Sequence, residues 1–433
     1  MVAYELKQTA IAQVLVQVLN HSIAGYYHHP SDCAAVGYAL SLSSHQFHEI
    51  TISWDTSSSE EYINECFVSM FAELPDGNGV VQVVLDKIII SDRTISALAQ
   101  FVRYFPNLQQ LEMNGLNERT SVVLTETVKF ATELEQLEHL RLLRIRTIFP
   151  ECGEFVATLL KHLTNLQHLE YYEFMVGRWG FRFTSLVEGY LKLAESLKHL
   201  TSLQTLRLML SIPLKGEEEI GKDGVAAVVE GIKHLISLQT LELRSFATTG
   251  AVLAESLEHL IALQTHRNGD GVVVPGGVKN LKEITLTSCE IEDRSVAKLV
   301  EGIKHLTSLE TLNLAENRIG YDGVVVLTGG LRSWTLLKML DLSWNGMGVR
   351  SATKLAEGIK HLPLLETLNL AGNGIEFDGV VALIGGVKNL TSPRTLDLDH
   401  NKIEGRDVAK LVEGIKHLTS LEIHGLSTNR TGL

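Results

Sequence analysis

The stretch Gly216-Glu-Glu-Glu-Ile-Gly-Lys-Asp223 is the segment that most resembles a reactive loop, since it matches GxxxxGK. A phosphate-cradling loop needs Ser or Thr after the lysine to hold magnesium, and here Asp223 takes that place. Glu217, Glu218 and Glu219 would also repel phosphate, so no nucleotide site is expected. Seven histidines share one register: His162, His199, His234, His259, His305, His361 and His417. Each stands four residues before an apolar frame, where a donor or cation complements a helix C-terminus. None has carboxylate or thiolate company at metal-ligand spacing. His45, His48 and Glu49 form a lone HxxHE in a polar stretch. GxSxG, HExxH, GxGxxG and paired carboxylates are missing from any context that would support them. The chain therefore reads as no enzyme, with no metal and no cofactor.

Bulk composition narrows the class further. The 433 residues carry 38 Lys plus Arg against 51 Asp plus Glu, a net charge of −13. Such acidity argues against nucleic acid, whose binding rests on neutralising phosphates. Hydrophobic residues at 45% and charged residues at 21% fit a globular protein. No run of apolar residues is long enough to span a bilayer, so no membrane insertion is expected. Met1 to Asn20 reads as a helix rather than a leader, because Glu5 and Lys7 interrupt its start. Cys33, Cys66, Cys152 and Cys289 are scattered without a CxxC pair, which points to a reduced, cytoplasmic chain.

What must position any functional residue is a repeat. VAKLVEGIKHLTSLETLNLAENRIG, from Val296, returns from Ala352 and, at the same interval, again in part from Val408. Between these copies lie DGVVVLTGGLRSWTLLKMLDLSWN, from Asp322, and DGVVALIGGVKNLTSPRTLDLDHN, from Asp378. The unit is thus half that interval, about 28 residues, in two alternating flavours. Each carries LxxLxLxxNxI, as at Leu309, Leu312, Leu314, Asn317 and Ile319. The xLxLx centre alternates with period 2, so it is a short strand with one buried face. The GVxxLxxGL spacing that follows is helical. Working backwards, frames open at Leu281, Leu238, Leu203, Leu166, Leu137, Leu108 and Val80, and weakly at Phe47. A truncated repeat is expected from Leu263.

This LxxLxLxxNxIGxxG unit resembles the ribonuclease-inhibitor-like class of leucine-rich repeats. The lead-in HPSDCAAVGYALSLSS, His29 to Ser44, resembles the segment that opens the repeat domain of animal NLR innate-immune receptors. The resemblance implies a horseshoe solenoid, an α/β fold with the parallel sheet concave and the helices convex. It also implies a sensing role inside the cell, toward a protein partner or a microbial ligand. A helical lead-in and cap would cover residues 1–46 and repeats 47–433. A regulator of small GTPases or an enzyme inhibitor is the alternative, because both also use this repeat class. An acidic tail and abundant cysteine, which would favour those, are not features of this sequence.

Strand stacking at about 4.8 Å against helix packing at roughly 8–10 Å predicts the curvature. Asn317, Asn345, Asn373 and Asn401 recur at the ninth place, with Cys289 one repeat earlier. An amide both donates and accepts, so this ladder is expected to satisfy the turn that leaves each strand. The outward strand row is expected to read Glu112, Arg141, Glu170, Arg207, Glu242, Thr285, Asn313, Asp341, Asn369, Asp397. Its first half alternates in sign, as a cross-strand ion-pair ladder would. Toward the C-terminus Asp341, Asp397 and Asp399 beside Trp344 would suit a basic partner. The aromatic stretch Tyr171 to Phe183 adds a second candidate surface. The residues expected to touch a partner are Tyr172, Trp179, Arg207, Arg244, Asp341, Trp344, Asp397 and Asp399.

Overall fold

The computed structural model describes residues 22–23, 49–53, 80–86, 89–118, 124–147, 152–173, 183–210, 218–244, 250–262, 278, 280–388, 390–391, 393–404 and 421–424. The chain divides into two compact units, Met1–Leu203 and Gln204–Leu433. In the first, strands β1 (Ser22–Ile23), β2 (Glu49–Ser53), β3 (Gln82–Asp86), β5 (Gln110–Glu118), β6 (Leu142–Thr147) and β7 (His168–Glu173) pair in parallel in that order. A short β4 (Ile89–Ile90) pairs with the end of β5. Among the described residues four helices flank this sheet: α1 (Asp92–Val102), α2 (Leu124–Glu135), α3 (Gly153–His162) and α4 (Phe183–Leu197). Each packs on the next in chain order.

In the second unit strands alternate with helices from β8 (Thr205–Met209) through α5 (Glu218–Ile232), β9 (Thr240–Arg244), α6 (Gly250–Ala262) and β10 (Glu283–Thr287). The alternation continues with α7 (Asp293–Ile303), β11 (Thr311–Asn313), α8 (Tyr321–Leu331), β12 (Met339–Asp341), α9 (Val349–Ile359), β13 (Thr367–Asn369), α10 (Phe377–Val387) and β14 (Thr395–Asp397). The last of the described strands, β15 (Glu422–His424), pairs with β14. All the pairings are parallel, and Leu312, Leu340, Leu368 and Leu396 stand in one row. Both units are therefore repeat solenoids, a parallel sheet backed by helices.

Periodicity explains the core. Strand residues Leu312, Leu314, Leu340, Leu342, Leu368 and Leu370 turn inward and are buried. In α7 the spacing Val296, Leu299, Val300, Ile303 places one apolar stripe against them. Neighbouring helices come close where a glycine recurs. A Cβ on Gly330 would stand 2.6 Å from Val300, and one on Gly386 2.8 Å from the Ala356 carbonyl. The preceding residues Gly329 and Gly385 meet nothing within 4 Å.

Several expectations need correction. The frame read from Leu137 opens instead at Leu140, because Leu111 pairs with Leu143 and Glu112 with Arg144. Leucines at 134, 137, 140 and 143 offer the same spacing three times. The chain spends Leu134 and Leu137 on the end of α2 and its exit turn, where the Leu140 N–H bonds the Leu137 carbonyl. Arg144, not Arg141, therefore stands in the outward row. The truncated repeat from Leu263 adds no strand between its neighbours, since β9 pairs directly with β10. Residues 263–277 themselves lie outside the described residues. Glu218 to Asp223, where no nucleotide site is expected, form the first turns of α5. In the lead-in 1–46 only Ser22 and Ile23 are described, as the short strand β1, and the rest of the expected helical cap lies outside the described residues. His45 and His48 lie outside the described residues, as does His417.

Candidate functional site

On the first unit the outward faces of β3, β5, β6 and β7 carry a closed lattice of charge. Arg144 donates to Glu170 at 2.5 Å and to Glu112 at 2.6 Å. Arg146 reaches the other Glu112 oxygen at 2.9 Å, and Asn114 ties Glu112 to Asp86 at 2.9 and 2.8 Å. Tyr172, half-buried, donates to Glu170 at 3.3 Å and lies beneath the Arg146 guanidinium. Glu112 and Glu170 are buried, and their hydrogen bonds hold the Arg144 guanidinium above its ordinary range. Behind the sheet, Tyr171 and Tyr190 both donate to the buried Glu173 carboxylate at 2.6 and 2.8 Å. Burial, then the Glu173 charge, pushes both phenols well up. Tyr171 of the expected partner segment is thus core, as is Tyr190 beyond its end. Trp179 lies outside the described residues.

The second unit begins in the same style. Arg207 donates to Glu242 at 3.0 Å, and the exposed Arg244 pairs with the other oxygen of that carboxylate. From β11 onward the row changes character, because each residue turns back on its own chain. Asn313, Asp341, Asn369 and Asp397 accept from the backbone N–H two residues on, at 2.9 to 3.1 Å. Such local bonds are a habit of Asn and Asp side chains. Asp341 also accepts from Ser343 Oγ and from Asn369, and is only 7% exposed. It is a buried cap, not part of an open acidic surface. Asp397 and Asp399 are half-buried.

Beyond each of these strands the chain turns through a left-handed residue. Ser288, Glu316, Trp344 and His400 have φ of 57°, 57°, 55° and 53°, and Gly372 takes 67° in the same place. A non-glycine residue there costs roughly 1–2 kcal/mol. The neighbouring repeat offsets it. Glu316 N–H donates to the Ser343 carbonyl, Trp344 N–H to Ala371 and Gly372 N–H to Asp399, at 2.8 to 2.9 Å. Beside this turn the asparagines are buried and span two repeats. Asn345 donates to the Leu314, Leu342 and Ser343 carbonyls and accepts from Ile319 N–H. Asn317, Asn373 and Asn401 make the same kind of bridge. Cys289 ends the series with the weaker donor, its thiol 3.4 Å from the Leu243 carbonyl.

On that turn row Trp344 is 53% exposed, whereas Trp334 is fully buried. Its indole lies on Gly372, where a Cβ would come within 2.4 Å of the ring, and the His400 ring is 5.7 Å away. A depression of about 480 Å³ adjoins it, lined by Ser288, Glu290, Glu316, Asn317, Arg318 and Trp344. The sequence reading singled out Trp344 and the asparagine but passed over the residues beside them. The available signal was position: every one of them lies within one place of the ninth position of its frame. Among the described residues no group of three or more His, Cys, Asp or Glu is placed to hold a metal ion. None of the described helices is long and apolar enough to cross a membrane.

The family described as Leucine Rich repeat matches residues 305–327 and 361–383, which are two copies of the same flavour. No curated protein matches the chain. Among solved structures, an internalin (inlF) from Listeria monocytogenes is 15% identical, covering 91% of this chain and 93% of its own, with a TM-score of 0.39. The yeast Rad7 and Elc1 complex contains a chain 13% identical, with 98% and 94% covered and a TM-score of 0.40. Likenesses this loose say nothing about function. The fold itself is that of a leucine-rich-repeat solenoid, an architecture that generally serves as a scaffold for binding protein.

Proposed function

We propose that the chain is the sensing region of an intracellular receptor similar to the animal NLR type. Its ligand is a protein partner or a microbial ligand, bound on the sheet face of the second unit and the turn row beside it. The observation that carries this reading is Trp344, a half-exposed indole on a turn braced by two repeats. Exposed aromatics on rigid supports are the side chains that anchor interfaces. Arg207, Arg244, Asp397 and Asp399, on or just after other strands of the same unit, supply further polar side chains, with Asp341 buried on the strand that leads to Trp344. The lead-in at His29 to Ser44 favours the receptor type. Two buried free thiols, Cys152 and Cys289, suit a reducing compartment.

The test is capture of partners from cytosolic extract by the whole chain, quantified for three proteins. Arg244→Ala with Asp397→Ala alters the sheet face, while Lys304→Ala with Lys360→Ala alters the C-terminal ends of α7 and α9. The sheet pair should reduce capture of a specific partner about thirtyfold if it removes one anchor's worth of contact. The helix pair should leave capture unchanged. The reverse pattern, with both proteins folded, would overturn the reading.

A further inference from the structure

We propose, resting on the recognition reading above, that Trp344 and the depression beside it form a subsite for an arginine side chain in a basic segment of the partner. One face of the indole is covered by Gly372, while Trp344 also lines the depression. The ring is therefore a fixed wall rather than a mobile surface group. Its backbone is held by the Ala371 carbonyl, and the ninth-place asparagines pin the turn on either side. A platform already ordered loses little freedom on binding.

The chemistry of the lining selects a cation. Its ionisable groups are Glu290, Glu316 and Arg318. Arg318 pairs with Glu290 at 2.7 Å, so the lining keeps an excess carboxylate in Glu316, which accepts from Ser288 at 2.6 Å. A guanidinium over the indole face gains from the ring quadrupole, and arginine does this more often than lysine. Its planar fork can meanwhile reach a carboxylate in the same depression. The chain makes such a contact within itself, with Arg350 lying 4.2 Å over the Tyr321 ring. A net charge of −13 draws a basic segment toward the protein in the first place.

The probe is a short amidated Gly/Ser peptide with two arginines, labelled with fluorescein, beside a copy carrying citrulline in their place. Citrulline keeps the shape and most hydrogen bonds but has no charge. Affinity is read by anisotropy with the full chain, and location by 19F signals of 5-fluorotryptophan at the four tryptophans. Trp344→Gly removes the ring and suits the turn, because Gly372 fills the equivalent place one repeat on. It should fold, as circular dichroism will check, and bind the arginine peptide roughly three- to thirtyfold more weakly. Glu316→Gln should weaken it up to about fivefold, and Trp344→Phe should retain part of the affinity. The 19F signal lost in Trp344→Gly should shift saturably with arginine and stay still with citrulline. An unmoved signal, an equal response to citrulline, or full affinity in Trp344→Gly would overturn the subsite. The recognition reading survives that outcome if the sheet-face pair still loses its captured partner.

Discussion

The outward strand rows of the two units stand on the same scaffold and carry different duties. In the first unit Glu112, Arg144, Glu170, Arg146, Asn114 and Asp86 bond across strands, so the row itself ties the sheet together. In the second, from β11 to β14, the row residues bond chiefly to their own backbone, and buried asparagines tie the repeats together from the turn. Frames in the first unit open at Val80, Leu108, Leu140 and Leu166, with uneven spacing, while those from Leu281 to Pro393 keep one constant interval. A strict repeat permits an amide ladder, because each asparagine must meet the same carbonyls. An uneven one uses longer, adaptable ion pairs. The lesson is that the regular repeats free their outer face from structural work.

Breaking the ladder should have the largest effect. Asn373→Ala strands the Asn345 and Met347 N–H groups and removes one of two donors from each of the Leu342, Leu370 and Ala371 carbonyls. Urea denaturation should show a loss of about 1–3 kcal/mol. Cys289→Ala, which removes a weak thiol donor, should cost clearly less; equal losses would contradict the comparison. Next come the helix glycines. Gly330→Ala must push Val300 aside and should destabilise by about 1–3 kcal/mol, whereas Gly329→Ala, in open space, should stabilise by about 0.5–1 kcal/mol.

A pH effect belongs to the first unit. Tyr171 and Tyr190 ionise less readily folded than unfolded, owing to burial and then Glu173. Their contribution is complete below the unfolded phenol pKa of about 10 and is lost as pH rises above it. Alkaline titration followed by circular dichroism should show stability falling from that point. Stability that stayed level would remove the buried tyrosine pair from the account. The smallest effect should come from Lys338→Ala, which breaks a surface pair with Glu310. It should leave the denaturation midpoint unmoved.

The regular repeats were legible because period-2 strands, helical stripes and a ninth-place asparagine recur at one spacing. Where several leucines shared one interval, as between Leu134 and Leu143, periodicity offered three equal frames and only packing could choose. That misplacement put Arg141 where Arg144 belongs, although the alternating charge along the row did indicate a cross-strand ion-pair ladder. Asp341 was legible as a row residue but not as a buried cap, since the hydrogen bond from Asn369 comes from the next strand. Trp344 stood out by type. Its left-handed backbone and its glycine support did not, for both depend on residues one repeat away.

The division of duty between the two rows is tested most directly by denaturing Arg144→Met and Asp397→Ala side by side. Arg144→Met leaves the buried Glu112 and Glu170 carboxylates short of a partner and should cost about 1–3 kcal/mol. Asp397→Ala gives up a half-buried bond to its own backbone and should cost roughly half of that or less. Equal losses, or a larger one at Asp397, would show that the second unit's row also holds the fold together and is not free to receive a partner.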